Sequence, residues 1–296
     1  MNHWVHDYET LKTCFVGVFS HYKNPDITKV FIISKFRNDI DELLTFLQSN
    51  IDHQERHISY NGLAFDSQVT QFILMNSGML RAIDGDVAAM RIYEKAQDCI
   101  NRSNLQEWQE WNEKNLAIKQ IDVFKLNHWD NPAKRSSLKW IQFSMNWDNV
   151  MDMPLHHSYE IKTEEEQNMI VQYCINDVLS TKRIMEKSIE QIRLRKTLSD
   201  KYNINLFSAS EPKIAKELFL HFLEQITGIK KWDLKKLKTY RGLITVKDIL
   251  LPIIQFQTPL FQALHKRFQE LIINPNETKN SFHDVVKYRG VETHFG

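Results

Sequence analysis

Three short patterns in this 296-residue chain set acids where they could do chemistry. The first is Asp7-Tyr8-Glu9-Thr10, within residues 4–10, which read as a short strand. Strand side chains alternate between faces, so Asp7 and Glu9 project to the same side. Two acids held side by side repel unless a cation sits between them, although the pattern alone also recurs on exposed strands. The second is Asn61-Gly62-Leu63-Ala64-Phe65-Asp66, which joins a strand end to a helix start. Asp66 is there either as a helix N-cap or as a further site acid. Gly62 permits close backbone approach or positive φ, and Asn61 and Phe65 offer an amide and a ring. The third is Tyr173-Cys174-Ile175-Asn176-Asp177. On a helix Tyr173 and Asp177, four apart, share one face beside an apolar stripe of Ile170, Cys174 and Val178. A half-buried carboxylate there needs a partner, which Tyr173 or a metal ion supplies.

In this order, D-x-E on a strand, N-x3-F-D at a strand–helix junction and Y-x3-D on a late helix resemble the exonuclease motifs of the DEDD superfamily. The match is to its tyrosine branch, found in proofreading 3′–5′ exonucleases. The other branch has His five residues before the last Asp, where this chain has Gln172. The resemblance covers roughly residues 1–190. It implies an α/β, ribonuclease-H-like fold: a mixed five-stranded sheet flanked by helices, with the acids at one edge. An oxygen-rich, sulfur-free donor set favours hard divalent cations, so Mg²⁺ or Mn²⁺ is implied. Two such ions about 4 Å apart can hold the attacking and leaving oxygens of an in-line displacement at phosphorus.

By the same resemblance, Asp7 bridges both ions, Glu9 and Asp177 complete one site, and Asp66 supports the other. Tyr173 orients the attacking water; a phenol of pKa ~10 is a poor base at neutral pH. Thr10 and Leu11 match positions where the family holds the 3′-terminal nucleotide by backbone contact and apolar wedging. Asn61 and Phe65 match positions facing the single strand. Ordinary packing is the alternative for all four.

Four further segments resemble phage-encoded family B-like DNA polymerases: Ser137-Leu138-Lys139-Trp140, Met153-Pro154-Leu155-His156-His157, residues 205–210 and Tyr288-Arg289-Gly290-Val291. On that resemblance the chain is expected to be a truncated proofreading module of a viral polymerase, its polymerase domain lying beyond Gly296. His156-His157 reads as a hydrogen-bonded loop pair rather than a metal site.

The elements that must position these residues follow from patterning. Residues 13–19 are apolar on both faces, as a central strand should be, and 29–34 form a third strand. Asn38 is expected to cap a helix with Ile40, Leu43, Leu44 and Leu47 on one face. Residues 57–60 read as a fourth strand, 66–79 and 86–117 as helices, and 120–126 as a fifth strand. Trp108 and Trp111 are expected to dock against the main body. A loop-rich stretch, 127–162, is broken by a short helix at 137–145. Thr163 and Glu166 make a capping box for a helix running to about residue 196, and another helix covers 211–225.

Composition sets the outer bounds. Hydrophobic residues are 42% and charged residues 25%, with 17 Phe, 9 Tyr and 7 Trp, which excludes a wholly disordered chain. No apolar run approaches the ~20 residues of a membrane helix. Three scattered cysteines give neither zinc spacing nor a disulfide framework, so a cytoplasmic setting is expected, that of the host cell if the protein is viral. Residues 1–192 carry 20 Lys and Arg against 27 Asp and Glu, whereas 193–247 carry 13 against 5. The shift suggests a boundary between an exonuclease domain, 1–196, and a basic, mostly helical extension, 197–296. Lys230, Lys231, Lys235, Lys236 and Lys238 are then placed to track backbone phosphates of single-stranded DNA or a primer-template 3′ end, with Trp232 and Tyr240 among them. Lysines solvating a helix face are the alternative. Two other functional readings remain: a free-standing nuclease acting on RNA or in DNA repair, and an inactive nuclease fold that binds nucleic acid or assembles with a partner.

Overall fold

The computed structural model describes residues 3–24, 26–131, 135–237, 242–275 and 284–295. The chain divides into two compact units, Met1–Leu218 and Phe219–Gly296.

The first unit is built on a mixed sheet of β1 (Trp4–Leu11), β2 (Cys14–His21), β3 (Thr28–Ser34), β4 (His57–Ser59) and β5 (Gln120–Asp122), in the order β3-β2-β1-β4-β5. β1, β2 and β3 form an antiparallel meander, and β4 and β5 run parallel to β1. β2 is buried along both faces until His21, as its unbroken apolar sequence demands. One face packs on α1 (Ile40–Asp52), α2 (Asp66–Met75), α3 (Ser77–Arg81) and α4 (Gly85–Asn104). The opposite face packs on α5 (Val123–Leu126), α6 (Leu138–Ser144) and α7 (Glu164–Lys187). Ile40, Leu43, Leu44 and Leu47 are all buried on α1. Its cap position is Asp39 rather than Asn38, and the Asp39 carboxylate instead takes the Ile32 N–H, at 2.8 Å, and the Arg37 guanidinium.

Several elements end earlier than periodicity indicates, each for a local reason. The 66–79 helix breaks at Asn76, whose side-chain amide bonds to Phe72 O. α4 stops at Asn104, and Gln106 adopts φ 57°, so residues 107–117 are not α-helical. There Trp111 is tied by both backbone groups to Gln68, but the Trp108 side chain is 94% exposed and only its carbonyl is held, by Arg102 at 3.2 Å. β5 is three residues long because the Asp122 carboxylate accepts from the N–H groups of Phe124 and Lys125 and turns the chain into α5. α7 has the full capping box and ends at Ser188, after which α8 (Ile189–Tyr202) begins.

The first unit continues past residue 196 because its α8 and the following segment pack back on it. Arg195, 1% exposed, donates to Ala209 O, Leu126 O and Gln191 O. Ser208 meets the backbone of β5 at Asp122 N and Gln120 O, which covers that sheet edge. The unit boundary falls within α9 (Glu211–Thr227).

The second unit holds α10 (Lys231–Leu234) and α11 (Pro259–Gln269), and also two antiparallel pairs: β6 (Ile244–Thr245) with β7 (Ile272–Ile273), and β8 (Asp284–Tyr288) with β9 (Val291–Phe295). Among the described residues the second unit thus carries short strands as well as helices. Arg289 and Gly290, at φ 49° and 80°, form the two-residue turn between β8 and β9, the left-handed pair that matches strand twist. Among the described residues, no helix is long and apolar enough to cross a membrane.

Candidate active site

β1 presents Val5, Asp7, Glu9 and Leu11 toward α7, and the hydrophobic members of that series join the core there. On α7, Ile170, Cys174 and Val178 are buried in the same core, which turns Tyr173 and Asp177 to the acids of β1. The Cys174 thiol donates to Asp7 O at 3.4 Å and fixes the helix against the strand. As a result, carboxylate oxygens of Asp7, Glu9 and Asp177 lie within 4.8 Å of one another.

Asp66 reaches the site from the start of α2, and it is not a helix cap. β4 pairs with β1 only at Trp4 and Val5, so Tyr8 N–H lacks a strand partner; Asp66 Oδ1 accepts it at 3.1 Å. Asp66 also lies within hydrogen-bonding reach of Asp7. The loop before it is tightly shaped. Asn61 takes φ 62°, and buried Asp122 accepts from the N–H groups of Asn61 and Leu63 at 3.0 and 3.1 Å. A Cβ at Gly62 would stand 1.8 Å from Ser59 Oγ and 2.7 Å from Ser59 Cβ, a clash that no rotation of the serine removes.

Asp177 is 6% exposed and held on several sides. Gln142 Nε2, on α6, donates to its Oδ1 at 2.8 Å and to Ser180 Oγ at 2.8 Å. The Tyr173 hydroxyl also hydrogen-bonds the Asp177 carboxylate. Trp147 Nε1 steadies the neighbouring Asn176 at 2.9 Å.

Burial and like charge make the cluster costly without a cation. Burial, then the charges of Asp66, Glu9 and Asp177, push the Asp7 carboxyl well above the usual range. Burial, then Asp177 and Asp66, do the same to Glu9. Asp66 is pushed up to about 7, mainly by burial. Asp177 is raised by burial, against the opposing hydrogen bonds of Gln142 and Tyr173. Burial and then Asp177 raise the Tyr173 phenol, so it stays neutral near pH 7. Among the described residues no lysine or arginine is salt-bridged to any of the four acids; Lys139 acts on Glu9 and Asp177 through its charge, with its ammonium 2.6 Å from Asp152. Asp7, Glu9 and Asp177 form an all-oxygen donor set that could hold a hard metal ion.

A cavity of ≈ 390 Å³ adjoins the acids, lined in part by Asp7, Asp66, Asn61, Phe65, Tyr60 and Arg135. Asn61 and Phe65 thus stand at the same opening as two of the acids. Thr10 and Leu11 do not: Thr10 is 7% exposed and Leu11 is fully buried in the core. Lys230, Lys231, Lys235 and Lys236 belong to the second unit, at or next to α10. Lys236 pairs with Asp233 at 3.1 Å, and Lys235 lies over the Trp232 ring at 5.0 Å. Lys238 and Tyr240 lie outside the described residues.

Gln142 and Asp122 are the site's unforeseen members. An acid in the apolar run Gln120-Ile121-Asp122-Val123-Phe124 is a usable sequence signal, since a buried Asp needs several donors. Gln142 has no such signal, because its partner is 35 positions away. No protein-family model matches the chain, and no curated protein or solved structure matches it.

Proposed function

We propose that the protein is a metal-dependent 3′–5′ exonuclease of ribonuclease-H-like architecture, hydrolysing phosphodiesters at nucleic-acid 3′ ends and serving as the proofreading module of a viral DNA polymerase. One observation carries the reading: acids from three distant motifs, Asp7 and Glu9, Asp66, and Asp177 with Tyr173, converge on one site. An antiparallel β1–β3 meander joined to parallel β4 and β5 supports the architecture. The polymerase setting rests on the resemblance of the four further segments.

In the reaction a water oxygen bonds to phosphorus, the P–O3′ bond breaks, and a 5′-mononucleotide leaves a new 3′-hydroxyl. Two divalent cations, Mg²⁺ or Mn²⁺, bound by Asp7, Glu9, Asp66 and Asp177 would supply charge stabilisation to the phosphate oxygens. Tyr173, neutral and bonded to Asp177, orients the attacking water through its hydroxyl. Gln142 keeps the Asp177 carboxylate in one rotamer, so its charge is preorganised where the reaction needs it. Asn61 and Phe65, at the mouth of the adjoining cavity, contact the terminal nucleotides.

The test is digestion of matched labelled DNA and RNA oligonucleotides with Mg²⁺, Mn²⁺ or chelator. The reading expects mononucleotides only when a divalent cation is present, with DNA the better substrate. No release with either cation would overturn it.

A further inference from the structure

The helix that steadies Asp177 carries an outer face which the acid chemistry does not use. α6 is seven residues long, and its buried residues are Ile141 and Gln142. Trp140 and Phe143, three apart on that helix, are 60% and 68% exposed. Their rings lie 5.9 Å apart between centroids with 29° between planes, so they form one broad aromatic surface. Burial does not hold them there.

Their place around the helix points to what they would bind. At about 100° per residue, Lys139, Phe143 and Trp140 follow Gln142 at roughly 60°, 100° and 160°. The surface thus runs from the side chain that grips Asp177, across Lys139, whose ammonium pairs with the exposed Asp152, onto the two rings. Arg135, exposed and two residues before the Ser137 cap, lines the acid cavity. A polyanion approaching four carboxylates needs cations at its entry, and unstacked bases need ring faces.

We propose that Trp140 and Phe143 are a stacking platform for the bases of a single-stranded nucleic acid whose 3′ end enters the acid site. The proposal deepens the exonuclease reading and rests on it. Stacking is indifferent to base identity, because every base has a π-face, and it suits an enzyme that shortens any sequence. It also favours an unpaired end over a duplex, whose bases are already stacked on each other.

The experiment measures binding of a fluorescent oligothymidylate of about a dozen nucleotides, and of an abasic strand of equal length, in chelator so that no hydrolysis occurs. Wild type is compared with the Trp140→Ala/Phe143→Ala double variant, whose exposed side chains can be removed without opening the core; coincident thermal melts verify its fold. The proposal expects the variant to bind oligothymidylate about 10-fold or more weakly, by a similar factor at low and high salt, since stacking releases no counterions. The abasic strand should bind both proteins alike. Equal binding of oligothymidylate by both proteins, or equal losses on both strands, overturns the platform. So does an altered association state with oligonucleotide binding unchanged, which would mean that the rings pack on protein. Wild-type hydrolysis of thymidine 5′-(p-nitrophenyl phosphate) with Mn²⁺ reports the acid site separately. Its absence alongside the stacking difference would sink the exonuclease reading and leave the platform standing.

Discussion

Raising the pH should destabilise the metal-free protein, and a divalent cation should cancel that loss. Asp66 titrates near about 7 in the folded protein against an ordinary 3.8, and Asp7 and Glu9 are also held well above their usual range. The folded state therefore keeps protons that the unfolded state has already released, and stability falls as pH rises through the folded values. The buried imidazoles act oppositely. His6 is pushed down to about 3 and His57 well below normal, both by burial, so each removes stability as pH falls below about 6.5. Only above about pH 7.5 are these imidazoles neutral in both states, and from there upward the raised groups set the slope. Between about pH 6.5 and 7.5 the roughly 0.7 kcal/mol that Asp66 loses is offset by a similar amount regained at the two imidazoles, so the net fall comes above about pH 7.5, where any proton retained by Asp7 or Glu9 loses up to ~1.4 kcal/mol per pH unit. The melting temperature should therefore fall between about pH 7.5 and 8.5, by roughly 2–4 °C for each kcal/mol lost. Circular dichroism melts in chelator across this window measure the slope. Mn²⁺ or Mg²⁺ at about 100 times its dissociation constant should return ~2.7 kcal/mol at the alkaline end. The Asp66→Asn variant should lose its share of the slope. A metal-free melting temperature that is flat or rising with pH, or one that the cations do not lift, would refute the reasoning.

Three variants test the tyrosine, the glutamine and the lysines. Tyr173→Phe keeps the ring but removes the hydroxyl, so turnover should fall ~10- to 1,000-fold while cation affinity, measured by calorimetry, stays nearly unchanged. Gln142→Leu removes the 2.8 Å bond to Asp177; cation affinity should weaken about 10- to 100-fold in the same calorimetric titration, as when other outer partners of ligands are lost. Replacing Lys230, Lys231 and Lys235 together by Gln should flatten the salt dependence of single-strand affinity by about two units in log–log slope, at ~0.7 per phosphate contact. An unchanged slope leaves those lysines with a solubility or packing role.

Local pattern was enough wherever one element's own periodicity decided the outcome. The unbroken apolar run of β2, the α1 stripe of Ile40, Leu43, Leu44 and Leu47, and the Thr163–Glu166 capping box all appear in the fold as the sequence indicates. Pattern failed where a side chain competed with the backbone. Asp122 ends a strand that β-propensity would extend to 126, and Gln106 ends a helix that periodicity would carry to 117. In the site, strand alternation and helical i, i+4 spacing brought Asp7, Glu9, Tyr173 and Asp177 into view. Asp66 was ambiguous because a helix cap and a site acid look alike until Tyr8 N–H is seen without a strand partner. Gln142 was invisible because its role exists only through a tertiary contact. For Leu11 the family resemblance offers an apolar wedge and local pattern offers ordinary packing, and its complete burial in the sheet core is visible only in the fold.

Under the proposed function, Asp7 and its neighbouring acids should shorten nucleic acid from the 3′ end. Wild type and Asp7→Ala should be given a 5′-labelled single strand with Mn²⁺, and the products resolved nucleotide by nucleotide over time. Wild type should yield a ladder descending one nucleotide at a time from the full length. The variant, folded by its melt, should leave the strand intact. A descending ladder of undiminished rate from folded Asp7→Ala, or internal cuts from wild type, would contradict the account.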